Sequence, residues 1–169
     1  MASQSNQSIS FLFAKGPIPY NMTNDYVFRI VLQENPDARK GLIGSLLHLR
    51  PEEILSATVL NPIDPGRSVN DKEIRMDVRV ELNNHMFIDL EMQTTSDHGN
   101  WRSRALTYLC REYDSLEHGD DYKDAHPVYQ FAFLDFTLFK EHPEFYASYR
   151  MRNMRDSYVY CDTFTLCVI

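Results

Sequence analysis

Residues 74–93 read IRMDVRVELNNHMFIDLEMQ. From Ile74 to Leu82 the even positions are apolar: Ile74, Met76, Val78, Val80 and Leu82. The odd positions are Arg75, Asp77, Arg79 and Glu81. A strict period of two marks a strand with one buried face. After Asn83-Asn84-His85 the pattern resumes, with Met86, Ile88, Leu90 and Met92 on one face and Phe87, Asp89, Glu91 and Gln93 on the other. Two such runs around a short polar turn make a β-hairpin. Both apolar faces must point the same way, so even positions pair with even positions. Pairing Leu82 with Met86 across a three-residue turn meets that condition. It sets Arg79 opposite Asp89, Asp77 opposite Glu91 and Arg75 opposite Gln93. Two carboxylates then stand side by side on one face of the sheet.

Working outward, Asn24 offers a helix cap before Asp25–Leu32, and Pro36 suits the first residue of a second helix. Leu42, Ile43, Leu46, Leu47 and Leu49 give that second helix an apolar stripe. Ala57–Leu60 reads as a short strand, and the polar, Pro- and Gly-containing residues 62–72 as a loop. Beyond the hairpin, Gly99–Gly119 reads as one long helix. Trp101, Ala105, Leu109 and Leu116 lie on one face, and Arg104, Tyr108 and Arg111 on another. Pro127–Phe136 fits a buried strand, Phe145–Tyr160 a strand or hairpin, and Thr163–Ile169 an apolar strand-like run. Helix, helix, strand, hairpin, helix, strand is the order of an α/β or α+β fold with a mixed sheet.

The chain's 169 residues amount to one domain. Residues 1–20 form a loose lead-in and residues 21–169 the domain. At 43% hydrophobic and 24% charged, the composition is that of a globular protein. No apolar run approaches a membrane span. The start MASQSNQSIS lacks the charge and apolar core of a secretory signal. Three cysteines without a C-x-x-C pair suggest no disulfide framework, and a cytoplasmic location is the expectation. The six histidines show no zinc spacing. The net charge of −7 opposes bulk electrostatic binding of nucleic acid, but it leaves room for an acidic centre loaded with metal.

Facing carboxylates repel one another, and something must offset that. Arg75 and Arg79 on the same face do so in an ordinary solvated surface. A hard divalent cation does so in a metal site, because magnesium is commonly held by one or two carboxylates, water and a substrate phosphate. Alternation alone leaves both readings open.

The segment Asp77-x13-Glu91-x-Gln93, on a hairpin before an arginine-rich helix, resembles the PD-(D/E)xK nuclease superfamily. Within it, the chain is similar to the Rpn family of recombination-promoting nucleases, also labelled transposases. The residues carrying the likeness are Thr23–Phe28, Arg75–Val78, Asp89–Gln93, Arg102–Tyr108, Gly119-x2-Tyr122 and Pro127–Asp135. The resemblance implies a restriction-endonuclease-like mixed central sheet flanked by helices, and DNA cleavage dependent on Mg2+ or Mn2+. Asp77 and Glu91 would be metal ligands, together with the backbone carbonyl of Met92. Gln93 would stand where most of the superfamily has a catalytic lysine, orienting water or a phosphate oxygen by hydrogen bonding rather than by charge. Asp25 would add a further acidic group, or else serve the helix N-terminus. Arg104 and Arg111 would contact phosphate.

Family proteins usually continue into a helical C-terminal part, so an end in Thr163–Ile169 reads as a C-terminal truncation. Its apolar residues would form an edge open to another chain. DNA is the expected partner, alongside a homodimer or a pairing with a full-length relative. The rival reading is a catalytically degenerate nuclease fold acting in dimerisation or regulation. Recombination, mobile-element movement and phage defence fit the resemblance equally.

Overall fold

A computed structural model describes Gly16 and residues 21–66, 72–95 and 98–169. Apart from Gly16, the expected lead-in over residues 1–20 lies outside the described residues. Helix α1 (Asp25–Glu34) starts where the Asn24 side chain accepts a hydrogen bond from the Val27 amide. Asn35 ends α1 and caps α2 (Pro36–Leu47), accepting from the amides of Asp37 and Ala38. The missing donor of Pro36 costs nothing at this first helical position. Strands β1 (Ala57–Val59), β2 (Ile63–Asp64), β3 (Ile74–Arg75), β4 (Val78–Leu82) and β5 (Met86–Gln93) follow. Helix α3 (His98–Tyr113) comes next, and then β6 (Val128–Leu134), β7 (Ala147–Arg150) and β8 (Phe164–Val168).

Six strands form one mixed sheet in the order β1-β4-β5-β6-β8-β7. The β4–β5 ladder carries the register expected from the alternation: Leu82 faces Met86, and Arg79 faces Asp89. β6 lies parallel to β5, with α3 as the crossover, and β8 lies parallel to β6. The even residues of β4 and β5 pack under α1 and α2, where Phe28, Leu32, Ile43, Val78, Val80, Ile88 and Leu90 form the main core. On the other face α3 sets Trp101 and Ala105 against Ala132. The sheet is thus covered on both sides, as in α/β proteins with parallel strands. No helix among the described residues is long and apolar enough to cross a membrane.

Four expectations are corrected. The strand expected over Ile74–Leu82 breaks at Met76-Asp77, and its first part pairs with β2 in a separate two-stranded sheet. β2 itself lies in the stretch expected to be loop. Helix α3 ends at Tyr113 rather than near Gly119, because Asp114-Ser115 favour local hydrogen bonding over helix. Gly119 instead occupies a positive-φ turn (φ 104°) beyond it. The apolar residues at 164–168 are no open edge, since β8 is hydrogen-bonded to β6 on one side and β7 on the other.

Candidate active site

Asp77 lies in the bend between β3 and β4, one residue short of the ladder that begins with Val78 and Leu90. Its Oδ2 accepts a hydrogen bond from the Met92 amide at 2.9 Å. Its carbonyl accepts from Gln33 Nε2 of α1 at 3.3 Å. A short acidic side chain competes with backbone partners in this way, and here the carboxylate takes the amide that a continued strand would have engaged. Asp77 therefore meets β5 through Met92 and is not the ladder partner of Glu91. The spacing brought the two residues to the same place by a different geometry.

Glu91 is buried on β5 beneath α3. Its Oε1 accepts from Arg104 Nη2 at 2.7 Å, and its Oε2 from Gln130 Nε2 at 3.2 Å. Arg104 Nη2 also donates to Gln93 Oε1. Gln93 Nε2 donates to Thr95, to the carbonyl at 2.8 Å and to Oγ1 at 2.9 Å. Arg104, expected to contact phosphate, thus joins Glu91 and Gln93. Arg111 lies 3.6 Å from Asp64 Oδ2 of β2. Asp25 pairs with Arg29 at 2.7 Å and acts on Asp77 through its negative charge. A cleft of about 380 Å³ opens beside Asp77, lined by Tyr26, Arg29, Gln33, Ile63 and Arg75. Arg29 and Arg75 in its wall are each paired with a carboxylate, Asp25 and Glu73.

Three further polar residues lie inside this face. Asp89 is 2% exposed, Glu112 4% and Gln130 fully buried. The solvated outer face is thereby corrected, because α3 covers it. Asp89 was expected to pair with Arg79. Instead Arg79 Nε donates to Glu112 Oε1 at 2.8 Å, and both Asp89 oxygens lack a hydrogen-bond partner among the described residues. Two signals were readable. Glu112 continues the buried series Trp101, Ala105 and Leu109 at helical spacing, and Gln130 interrupts an otherwise apolar strand.

Burial is the largest influence on all four carboxylates, and it pushes each pKa upward. The Met92 amide partly offsets this at Asp77, and Arg104 partly offsets it at Glu91. Asp89 is pushed well above the ordinary range by burial and then by its neighbours Glu91, Glu112 and Asp77. Glu112 is raised by burial against the pull of Arg79. Arg79, Arg104 and, at Asp77, Arg29 pull these values down, but burial outweighs them.

Among the described residues no group of three or more His, Cys, Asp or Glu is arranged to hold a metal ion. The donor set still fits a hard divalent cation of the magnesium type, which needs only one or two carboxylates when water and substrate phosphate complete its shell.

Comparisons with curated proteins and with solved structures find no match. A protein-family model does match, over residues 22–169, and it describes a PD-(D/E)XK nuclease family transposase.

Proposed function

We propose a DNA-cleaving function on this premise: the chain belongs to the PD-(D/E)XK nuclease family transposases. In this reading it is a divalent-metal-dependent endonuclease, serving mobile-element movement or a related recombination task. Asp77 and Glu91, with the Met92 carbonyl, would hold Mg2+ or Mn2+. The bound ion would supply an activated water and stabilise charge on the scissile phosphate. The chain's own residues do the rest. Arg104 keeps Glu91 and Gln93 together, and Gln93 would release a Thr95 contact to offer its uncharged amide N–H to water or phosphate. Arg29 and Arg75 line the cleft beside Asp77 that would receive the DNA backbone. The observation carrying this reading is that the Met92 amide holds the Asp77 carboxylate one residue along β5 from Glu91, while Arg104 holds Glu91 to Gln93.

The test is plasmid cleavage with magnesium or manganese, alongside metal binding by calorimetry. Wild type should bind metal and nick DNA, and Asp77→Ala should lose both while its circular dichroism is unchanged. A retained cleavage rate in purified Asp77→Ala would remove Asp77 from the site.

One observation favours a second reading, a degenerate nuclease fold acting by pairing with another chain. Arg104 already occupies Glu91 Oε1 and Gln93 Oε1, so a cation stands where the metal would bind. That reading predicts no metal binding at millimolar concentration and a dimer by light scattering.

A further inference from the structure

Strand β7 continues into a short hairpin at the edge of the sheet. Tyr160 N donates to Met151 O at 2.9 Å, and Asn153 N donates to Tyr158 O at 2.7 Å. The tip is closed by the Asn153 side chain, which accepts from Arg155 N at 2.8 Å, and by Asp156, which accepts from Tyr158 N at 3.1 Å. Ser157 takes a left-handed conformation there (φ 62°). This is a built element, yet every residue from 151 to 160 is exposed. Tyr158 is 75% exposed, Tyr160 80% and Met154 95%. A 440 Å³ groove runs between Met151, Arg152, Asn153, Tyr158 and Tyr160.

The charge of this hairpin runs against that of the chain. Residues 145–160 hold Arg150, Arg152 and Arg155 against the single carboxylate of Asp156, in a protein of net charge −7. Asp156 is turned into the tip by its bond to Tyr158 N. Among the described residues, none of the three arginines forms an ion pair. A fold that spends exposed aromatic rings and unpaired guanidinium groups on one projecting edge gains nothing in stability from them, since none of these rings is buried.

We propose that the Arg150–Tyr160 hairpin is a docking surface for single-stranded nucleic acid. Tyr158 and Tyr160 would stack on exposed bases, while Arg152 and Arg155 would neutralise backbone phosphates. Stacking tolerates any base, because every base has a π-face, and guanidinium groups follow the backbone charge. Duplex DNA keeps its base faces stacked internally, so the rings select an unpaired segment. The inference rests on the nuclease reading for its choice of nucleic acid over a protein partner. It extends that reading, because it names the form of substrate that the molecule holds outside its catalytic centre. The start of β7 shares a row with Glu91, through Val168 and Ala132. Three strand spacings separate them, about 14 Å. The hairpin lies further off along the strands, beyond Arg150, which pairs with Thr165 three residues before Val168.

The experiment is fluorescence anisotropy of a fluorescein-labelled oligothymidylate in EDTA, which removes metal chemistry from the readout. Wild type should bind it more tightly than the same length of duplex. Tyr158→Ala with Tyr160→Ala should weaken binding by about tenfold or more, and Phe at both positions should restore it. Arg152→Ala with Arg155→Ala should flatten the salt dependence by about 1.4 in log–log slope, and Lys at both positions should keep it. Unchanged affinity in the tyrosine and arginine variants overturns the proposal, as does absence of binding by wild type at low salt. A change confined to the light-scattering mass would make the hairpin a protein interface and overturn it too. Failure of the nuclease reading shows elsewhere, as wild type that neither binds divalent metal nor nicks plasmid DNA, so the two outcomes stay separate.

Discussion

Gln130 illustrates how much a single buried amide decides. Its Nε2 donates to Glu91 Oε2, while its Oε1 has no partner among the described residues. Its register neighbour on β5 is Asp89, whose oxygens are also unpartnered. The amide thus fixes one oxygen of the proposed metal ligand and carries a desolvation cost at its other end. Leu is close to Gln in volume and removes both. The change also strips the buried Glu91 Oε2 of its donor, and a buried acceptor left without its partner costs about 1–3 kcal/mol. Loss of an outer partner to a metal-ligating carboxylate typically costs about 10–100-fold in metal affinity or activity. Gln130→Leu is therefore expected to melt below the wild-type temperature and to bind magnesium about 10–100-fold more weakly. Calorimetry and a thermal melt on the same preparation check the pair. Equal metal affinity in the two proteins would reduce Gln130 to packing.

At the scale of elements, the hairpin was the most legible part of the chain. Its alternation is local, and the even-to-even rule leaves one register. The break at Asp77 was not legible, because it depends on the Met92 amide across the sheet and on β2 drawing β3 away. The place of β8 between β6 and β7 was hidden for a similar reason, since pairing order across a sheet is non-local. The site divides along the same line. Asp77, Glu91, Gln93 and Arg104 could be read from spacing and family likeness. The links that bind them are tertiary.

Helix α1 depends on another such link. Arg39 of α2 is buried, and it donates to Leu32 O at 2.7 Å, Gln33 O at 3.0 Å and Ala57 O at 3.0 Å. One planar guanidinium satisfies carbonyls at the end of α1 and ties them to β1, which a lysine's point charge does not reproduce. Arg39→Leu leaves those carbonyls without a donor, and a loss of about 3 kcal/mol is expected. The measurement is the urea midpoint, with an unchanged m-value showing that the transition itself is intact. A loss well under 1 kcal/mol would mean that water replaces the guanidinium and that α1 is held by packing alone.

Taken over the whole molecule, the buried carboxylates give the metal-free protein an unusual response to pH. Asp77, Asp89, Glu91 and Glu112 all have folded-state pKa values raised above their ordinary range, with burial as the leading cause. A raised acid binds more protons in the folded state than in the unfolded one, so stability falls as pH rises between the two values. Its contribution is fully present below the ordinary carboxylate range and is lost as pH climbs through the raised folded value. Glu53 and Asp121 act in the opposite sense, since backbone hydrogen bonds lower their pKa values, but both are surface groups screened by solvent. The four buried groups should dominate. In EDTA the melting temperature is expected to be highest in mildly acid solution and to decline as pH rises above the ordinary carboxylate range. A divalent ion reverses the local sign, because it binds the ionised carboxylates and offsets their mutual repulsion. The stabilisation given by magnesium should therefore grow over the same rise in pH, as the protons it displaces become fewer. Melts at several pH values, with EDTA and with saturating magnesium, separate the two slopes. A melting temperature that climbs with pH in EDTA would show that Arg79 and Arg104 already outweigh the cost of burying these charges. The metal would then have no repulsion left to relieve.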